Sequence, residues 1–177
     1  MKKMAVAVVL LALAGAGAYL ALRPAPEYSD ATDQFKAVRL GADGLEPVTV
    51  TASDRPYLAV YHTALWCRPS ERFSHALADF YRTADKSRFQ LVVKSYDRSD
   101  EELIEHMKKY GMDCPFIPFT VSDEWGIPPD EIGIPNLVII NTATRRVVDQ
   151  RYQKGLFGLK NVGPDVPLET LKKLAGQ

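Results

Sequence analysis

The sequence predicts an α/β domain: a central mixed β-sheet flanked by helices, preceded by an N-terminal apolar helix. Three observations predict it. Apolar runs of strand length alternate with segments of helical spacing. Their order after an opening hairpin is β-α-β-α-β-β-α. The chain has 177 residues, 46% of them hydrophobic, which suits a leader and one domain with an ordinary core. The first β-α-β unit should be a right-handed parallel crossover, and helices should cover both faces of the sheet.

Residues 1–23 read as a targeting segment. Lys2 and Lys3 precede Met4–Leu22, a run without charge. It is about long enough to cross a hydrocarbon core of about 30 Å at about 1.5 Å per residue. It also holds A-x-A triplets, such as Ala12-Leu13-Ala14, that a signal peptidase could cut. A cleaved signal peptide and a retained membrane anchor both fit, and the length favours the anchor. An apolar surface on every side argues against a buried core helix. No cysteine follows closely, so no lipoprotein linkage is expected. The two lysines should keep the N-terminus in the cytoplasm. The remainder is then expected in the cell envelope, at the periplasmic or extracytoplasmic face of the membrane.

Residues 24–34 read as a linker, with Pro24 and Pro26 among polar neighbours. The domain is then 35–177. Lys36–Leu40 and Glu46–Thr51 flank the turn signal Gly41-Ala-Asp-Gly44 and form a hairpin. Tyr57–Thr63 is a buried strand. Pro69 to about Ala84 is a helix, with Phe73, Ala76, Leu77, Phe80 and Tyr81 at helical spacing. Pro69 fits its first turn, where no N–H is needed. Phe89–Tyr96 is the next strand. Ser99 and Glu102 form a capping box. The helix they open carries Leu103, Ile104, Met107 and Tyr110 on one face and stops at Gly111. Met112–Gly133 reads as irregular. Leu137–Ile140 and Arg145–Gln150 form a hairpin, and Glu169–Ala175 closes the chain as a helix.

Lys+Arg and Asp+Glu are both 22, so the net charge is zero. No basic stripe points to nucleic acid, and no acidic tail points to a disordered arm. A monomer is expected. Cys67 and Cys114 are too few for a disulfide scaffold, although one structural bridge stays open. No cofactor is expected. His62, His75 and His106 show no ligand spacing with the cysteines, so no metal is expected either. Glu101, Glu102 and Glu105 read as a solvated helix face and not as an acid/base pair.

Trp66-Cys67-Arg68-Pro69-Ser70 carries the chemistry. A cysteine at a strand-to-helix junction sits where backbone N–H groups converge, and these with the helix dipole favour an anion. Cys67 is therefore the candidate nucleophile; a buried inert cysteine is the plainer alternative. Ser70 stands where a redox Cys-x-x-Cys has its second thiol. Its hydroxyl could donate to the Cys67 thiolate, or it is an ordinary first-turn residue. Trp66 could shield the sulfur and offer an apolar contact, or pack in the core. Arg68 could support the thiolate from the surface, or be a solvated side chain. Cys114 could resolve a mixed disulfide if its Cα came within about 7 Å of that of Cys67; a half-buried free thiol is the alternative.

Several motifs in order resemble a known family. Ala64-Leu65-Trp66-Cys67-Arg68-Pro69-Ser70-Glu71-Arg72-Phe73, Ala78-Asp79-Phe80-Tyr81, Lys94-Ser95-Tyr96-Asp97-Arg98-Ser99-Asp100-Glu101, Cys114-Pro115-Phe116-Ile117-Pro118-Phe119 and Gly133-Ile134-Pro135 carry the resemblance. The chain resembles the thioredoxin superfamily, and within it the nucleoredoxin/tryparedoxin-like branch, from roughly Phe35 to Gln150. The resemblance implies a thioredoxin fold and a cis Ile134–Pro135 bond beside Cys67, exposing Ile134 backbone groups to a substrate strand. An ordinary trans proline is the alternative. It places Tyr61 at the buried position where many thioredoxins carry an aspartate. Departures are Ser70 for the resolving cysteine, Asn136 for the usual threonine, and a short proline-rich segment at 126–129. The implied function is an exported monothiol thiol–disulfide oxidoreductase. It would act through a mixed disulfide on Cys67 with protein or small-molecule disulfides and thiols, and meet the membrane through an uncleaved N-terminal segment. Trp66, Arg68, Pro69, Ile134 and Pro135 would contact substrate, and Cys67 and Ser70 would do the chemistry. The alternative is a redox-inactive binding module for proteins or peptides.

Overall fold

The computed structural model describes residues 33–121, 133–155 and 158–177. The expected leader and residues 24–32 of the expected linker lie outside these, as does the segment 126–129. Among the described residues no helix is long and apolar enough to cross a membrane. Asp33 and Gln34, placed in the linker by the sequence, are among the described residues. Gln34 already belongs to β1 (Gln34–Leu40), and Asp33 is tied to Ser53 through its carboxylate, Ser53 Oγ lying 2.6 Å away.

β1 pairs antiparallel with β2 (Leu45–Thr51) as the expected hairpin. Gly44 closes its turn at φ 133°, a conformation that side chains rarely adopt. β3 (Tyr57–Thr63) leads into α1 (Arg68–Thr83), which has Pro69 in its first turn. β4 (Phe89–Ser95) lies parallel to β3 in the register Tyr61↔Val93. α2 (Asp100–Tyr110) has the expected cap: Ser99 Oγ accepts from the Glu102 amide at 3.3 Å. Glu102 reaches back one residue further than a capping box requires, to the Arg98 amide at 2.8 Å. Gly111 ends the helix in the left-handed region at φ 60°.

β5 (Phe116–Ile117) is a strand inside the segment read as irregular. It is too short to show a period, yet it pairs parallel with β4 and antiparallel with β1, joining the hairpin to the sheet. β6 (Asn136–Asn141) and β7 (Arg146–Gln150) form the expected hairpin. A further small hairpin, β8 (Tyr152–Gly155) with β9 (Gly158–Asn161), was not foreseen. α3 (Asp165–Leu174) begins a turn earlier than its apolar spacing suggested. The main sheet has the order β2-β1-β5-β4-β3-β6-β7.

One expectation is corrected. The described helices do not cover both faces. Leu77 of α1, Leu103 and Met107 of α2, and Leu171 of α3 all enter one core with Tyr61, Leu91, Val93 and Ile139. The opposite core is built from strand residues such as Phe35, Val50, Val60, Val92 and Ile140. The cause is the sheet order. The crossovers β3–α1–β4 and β4–α2–β5 step in the same direction, and connections of one hand that step one way place their helices on one side.

Candidate functional site

Cys67 is the N-cap of α1, with φ −86° and ψ 98°. This extended residue turns the chain from β3 into the helix. Its carbonyl takes the Ser70 amide at 2.9 Å, and its side chain makes no capping bond to the helix. The sulfur faces across the site instead: Sγ lies 3.9 Å from the Ile134 carbonyl oxygen, with the Ile134–Pro135 bond cis. Cys67 is 8% exposed, more covered than a fully open sulfur. Ile134 is half-buried and Pro135 buried beside it. Arg68 and Pro69 are exposed on the outer side of the first turn.

Trp66 is 51% exposed and is not a core residue. Its indole N–H donates to the Tyr96 carbonyl at 3.0 Å, and the Arg98 guanidinium lies over its ring at 5.2 Å. Ser70 is buried, and among the described residues its hydroxyl has no hydrogen-bond partner. The expected donation to Cys67 is therefore not made. The Ser70 backbone oxygen accepts a long bond, 3.4 Å, from Tyr61.

Tyr61 is fully buried at the expected position, with its oxygen 2.8 Å from Ser74 Oγ. Burial pushes its phenol up to about 12, with Ser74 opposing the shift. At neutral pH it is a neutral hydrogen-bonding group, not the proton carrier that a buried aspartate would be.

Cys114 is brought nowhere near Cys67. It is buried, and both cysteines are free thiols. Tyr81, in the last turn of α1, donates to the carbonyl of Asp113 at 3.1 Å. Cys67 caps the first turn of this helix of 16 residues, which is about 24 Å long. The two sulfurs thus belong to opposite ends of α1. Burial pushes the Cys114 thiol well up, and the neighbouring Asp113 adds to it.

A group the sequence reading missed lies under the loop. Asp97 accepts from the Leu65 amide at 2.6 Å, from Ser95 Oγ at 2.6 Å and from His106 Nδ1 at 2.7 Å. Asp97 and His106 are both buried. Burial alone would raise the Asp97 carboxyl; the bonds from His106, Ser95 and Leu65 outweigh it and hold the group below its usual range. The His106 ring stands edge-on to Tyr110 and Phe116, with centroids at 5.3 and 5.6 Å. This cluster joins the end of β4, α2 and the segment leading to Cys67. A signal was present. His106 falls on the apolar stripe Leu103, Met107, Tyr110 at helical spacing, whereas Ile104, assigned to that face, is only half-buried. His62 pairs through Nδ1 with the Tyr96 hydroxyl at 3.1 Å, and His75 is exposed. Among the described residues no group of histidine, cysteine and acids could hold a metal.

A cysteine capping a helix beside a cis-proline, on a mixed sheet of this order, defines the thioredoxin class of fold. A family model described as Thioredoxin-like matches residues 54–146. The chain belongs to the thioredoxin-like family, in its nucleoredoxin/tryparedoxin-like branch. It is 30% identical to nucleoredoxin of Xenopus laevis over 115 residues, 59% of this chain and 25% of that protein. The chain thus spans about a quarter of the length of the nucleoredoxins it matches. Tryparedoxin II from C. fasciculata is 25% identical with a TM-score of 0.52, over 64% of this chain and 78% of that one. A tryparedoxin II complexed with glutathionylspermidine is 26% identical with a TM-score of 0.51, over 65% of this chain and 80% of that one. A thiol-disulfide oxidoreductase from Bacteroides fragilis shares the fold, with a TM-score of 0.56 at 15% identity over 84% and 99% of the two chains.

Proposed function

We propose that this protein is an exported thiol–disulfide oxidoreductase that works through a single thiol, Cys67. The observation that carries the reading is the placement of Cys67 Sγ at the start of α1, 3.9 Å from the Ile134 oxygen. The Cys67 thiolate attacks one sulfur of a substrate disulfide in line. The substrate S–S bond breaks, its other half leaves as a thiolate, and Cys67 is left in a mixed disulfide. Ser70 cannot form a second disulfide, and Cys114 lies at the far end of α1. A thiol from outside, small or on a partner protein, must therefore attack the mixed disulfide and restore Cys67. Such chemistry suits isomerisation, removal of a small thiol from a protein, or holding a substrate.

The test is incubation of the reduced protein with glutathione disulfide, followed by mass spectrometry. One glutathione should add at Cys67 and none in Cys67→Ala. An unmodified Cys67 would leave the binding-module reading in its place. Ser70→Cys should turn the lasting adduct into an internal disulfide with release of glutathione; persistence of the adduct would contradict the role given to position 70.

Lys2, Lys3 and the uncharged run Met4–Leu22 support a place at the extracytoplasmic face of a membrane. Protease added outside intact spheroplasts should digest the domain there. Protection until lysis would refute export.

A further inference from the structure

We infer that the Cys67 site selects anionic disulfides, those with carboxylates a few bonds from the reacting sulfur. This rests on the reading of Cys67 as the nucleophile and adds the charge of its substrate. The argument comes from the two chain neighbours of Cys67. Arg68 follows it and is exposed. Trp66 precedes it and carries the Arg98 guanidinium over its ring at 5.2 Å.

Among the described residues, Arg98 is held only by that ring and by a bond from its backbone amide to Glu102 at 2.8 Å. Among the described residues its guanidinium forms no ion pair with a carboxylate, and neither does that of Arg68, which feels Glu71 only at longer range. Two other cations of this part of the surface are paired, Arg72 with Asp165 at 3.3 Å and Lys109 with Glu71 at 2.9 Å. Of the acids nearest in sequence, Asp97 is buried against His106 and Glu102 holds the Arg98 amide, while Asp100 and Glu101 lie exposed on the first turn of α2.

A guanidinium stacked on an indole keeps its N–H groups in its own plane, directed away from the ring. Carboxylates take such donors two at a time. The start of α1 adds partial positive charge of the same sign. A disulfide with carboxylates near its sulfur would therefore meet two unspent guanidiniums and a helix N-terminus as it reached Sγ. A cationic disulfide would meet repulsion from all three. The chemical step is unchanged: the substrate S–S bond breaks, the Cys67–substrate bond forms, and the anionic half leaves as a thiolate.

The test uses the full chain and three aliphatic disulfides of matched size: 3,3′-dithiodipropionate (dianion), bis(2-hydroxyethyl) disulfide (neutral) and cystamine (dication). The rate of adduct formation at Cys67 is measured by quenched mass spectrometry. Each rate is divided by that of the same probe with thioglycerol, a neutral thiol distinct from every leaving group, which removes differences in leaving group. The expected normalised preference for the dianion over the dication is about tenfold at low salt, with Arg98 and Arg68 each supplying a few-fold. It should fall toward unity near 0.5 M salt, where screening acts within about 4 Å. Arg98→Glu and Arg68→Glu should each bring the preference close to unity, and the double variant should reverse the order; both residues are exposed, so neither change threatens the core. Equal normalised rates, a preference indifferent to salt, or a preference unmoved in both single variants would overturn the inference and leave Cys67 as nucleophile. Failure of all three probes to react at Cys67 would instead remove the nucleophile and the inference with it.

Discussion

The two cysteines occupy the two ends of α1, and their settings are opposed. At the first end, Cys67 caps the helix, touches the Ile134 carbonyl and has Arg68 and the Trp66–Arg98 pair for neighbours. At the other end, Cys114 is sealed in the apolar core beside Asp113, where burial and a negative neighbour both oppose ionisation. One residue type thus has two fates, and the helix sets them. Its start offers unsatisfied donors and an edge to solvent, whereas its last turn lies over the sheet. A sulfur is reactive or inert by address, and composition cannot distinguish the two.

The contrast can be broken most directly by alkylation. Iodoacetamide should label Cys67 at least about a thousandfold faster than Cys114 in the folded protein at neutral pH, since Cys114 must wait for opening of the core. Peptide mapping over time reads this, and comparable rates would end the contrast. The next effect concerns what fixes the first end. Asp97→Asn should cost about 3 kcal/mol in urea unfolding at pH 7, since it breaks a buried, hydrogen-bonded charge. The sign with pH follows from the carboxyl being held below its usual 3.8. Its contribution is complete above the unfolded-state value of about 3.9 and is lost as pH falls through the folded value. The gap between wild type and variant should therefore narrow below about pH 4. A gap constant down to about pH 2 would refute that account.

Smaller effects sharpen the comparison. Tyr61→Phe should cost about 1.5 kcal/mol through loss of the bond with Ser74. It should leave the pH profile of Cys67 labelling unmoved, since the phenol titrates only at about 12. A displaced profile would make Tyr61 a proton carrier after all. Ser99→Ala should cost about 1 kcal/mol by removing the cap of α2, with no change in labelling of either cysteine; thermal unfolding measures it.

What the sequence disclosed and withheld follows from range. Tyr57–Thr63, the start of α1 and the Ser99 cap were legible because each is written in neighbouring residues. The placement of Cys67 at a helix start was legible for the same reason, and its partner Ile134 came only through the family resemblance. β5 was hidden because two residues show no period; its pairing with β1 and β4 defines it. The shared face of the helices was hidden because no local pattern says on which side of β4 the next strand will lie. His106 could have been found on the apolar stripe of α2, but Asp97 was hidden because no local pattern names the buried partners of a carboxylate at a strand end. Ser70 illustrates the reverse case, a residue correctly located whose hydroxyl finds no partner among the described residues.

The bond from the Trp66 indole to the Tyr96 carbonyl has a consequence for encounter with other molecules. The ring is moored to the end of a central strand, so its orientation is set when the chain folds. A visitor finds a fixed platform, and little torsional freedom remains for the ring to surrender on contact. Freeing that mooring would weaken binding without touching the sulfur at all.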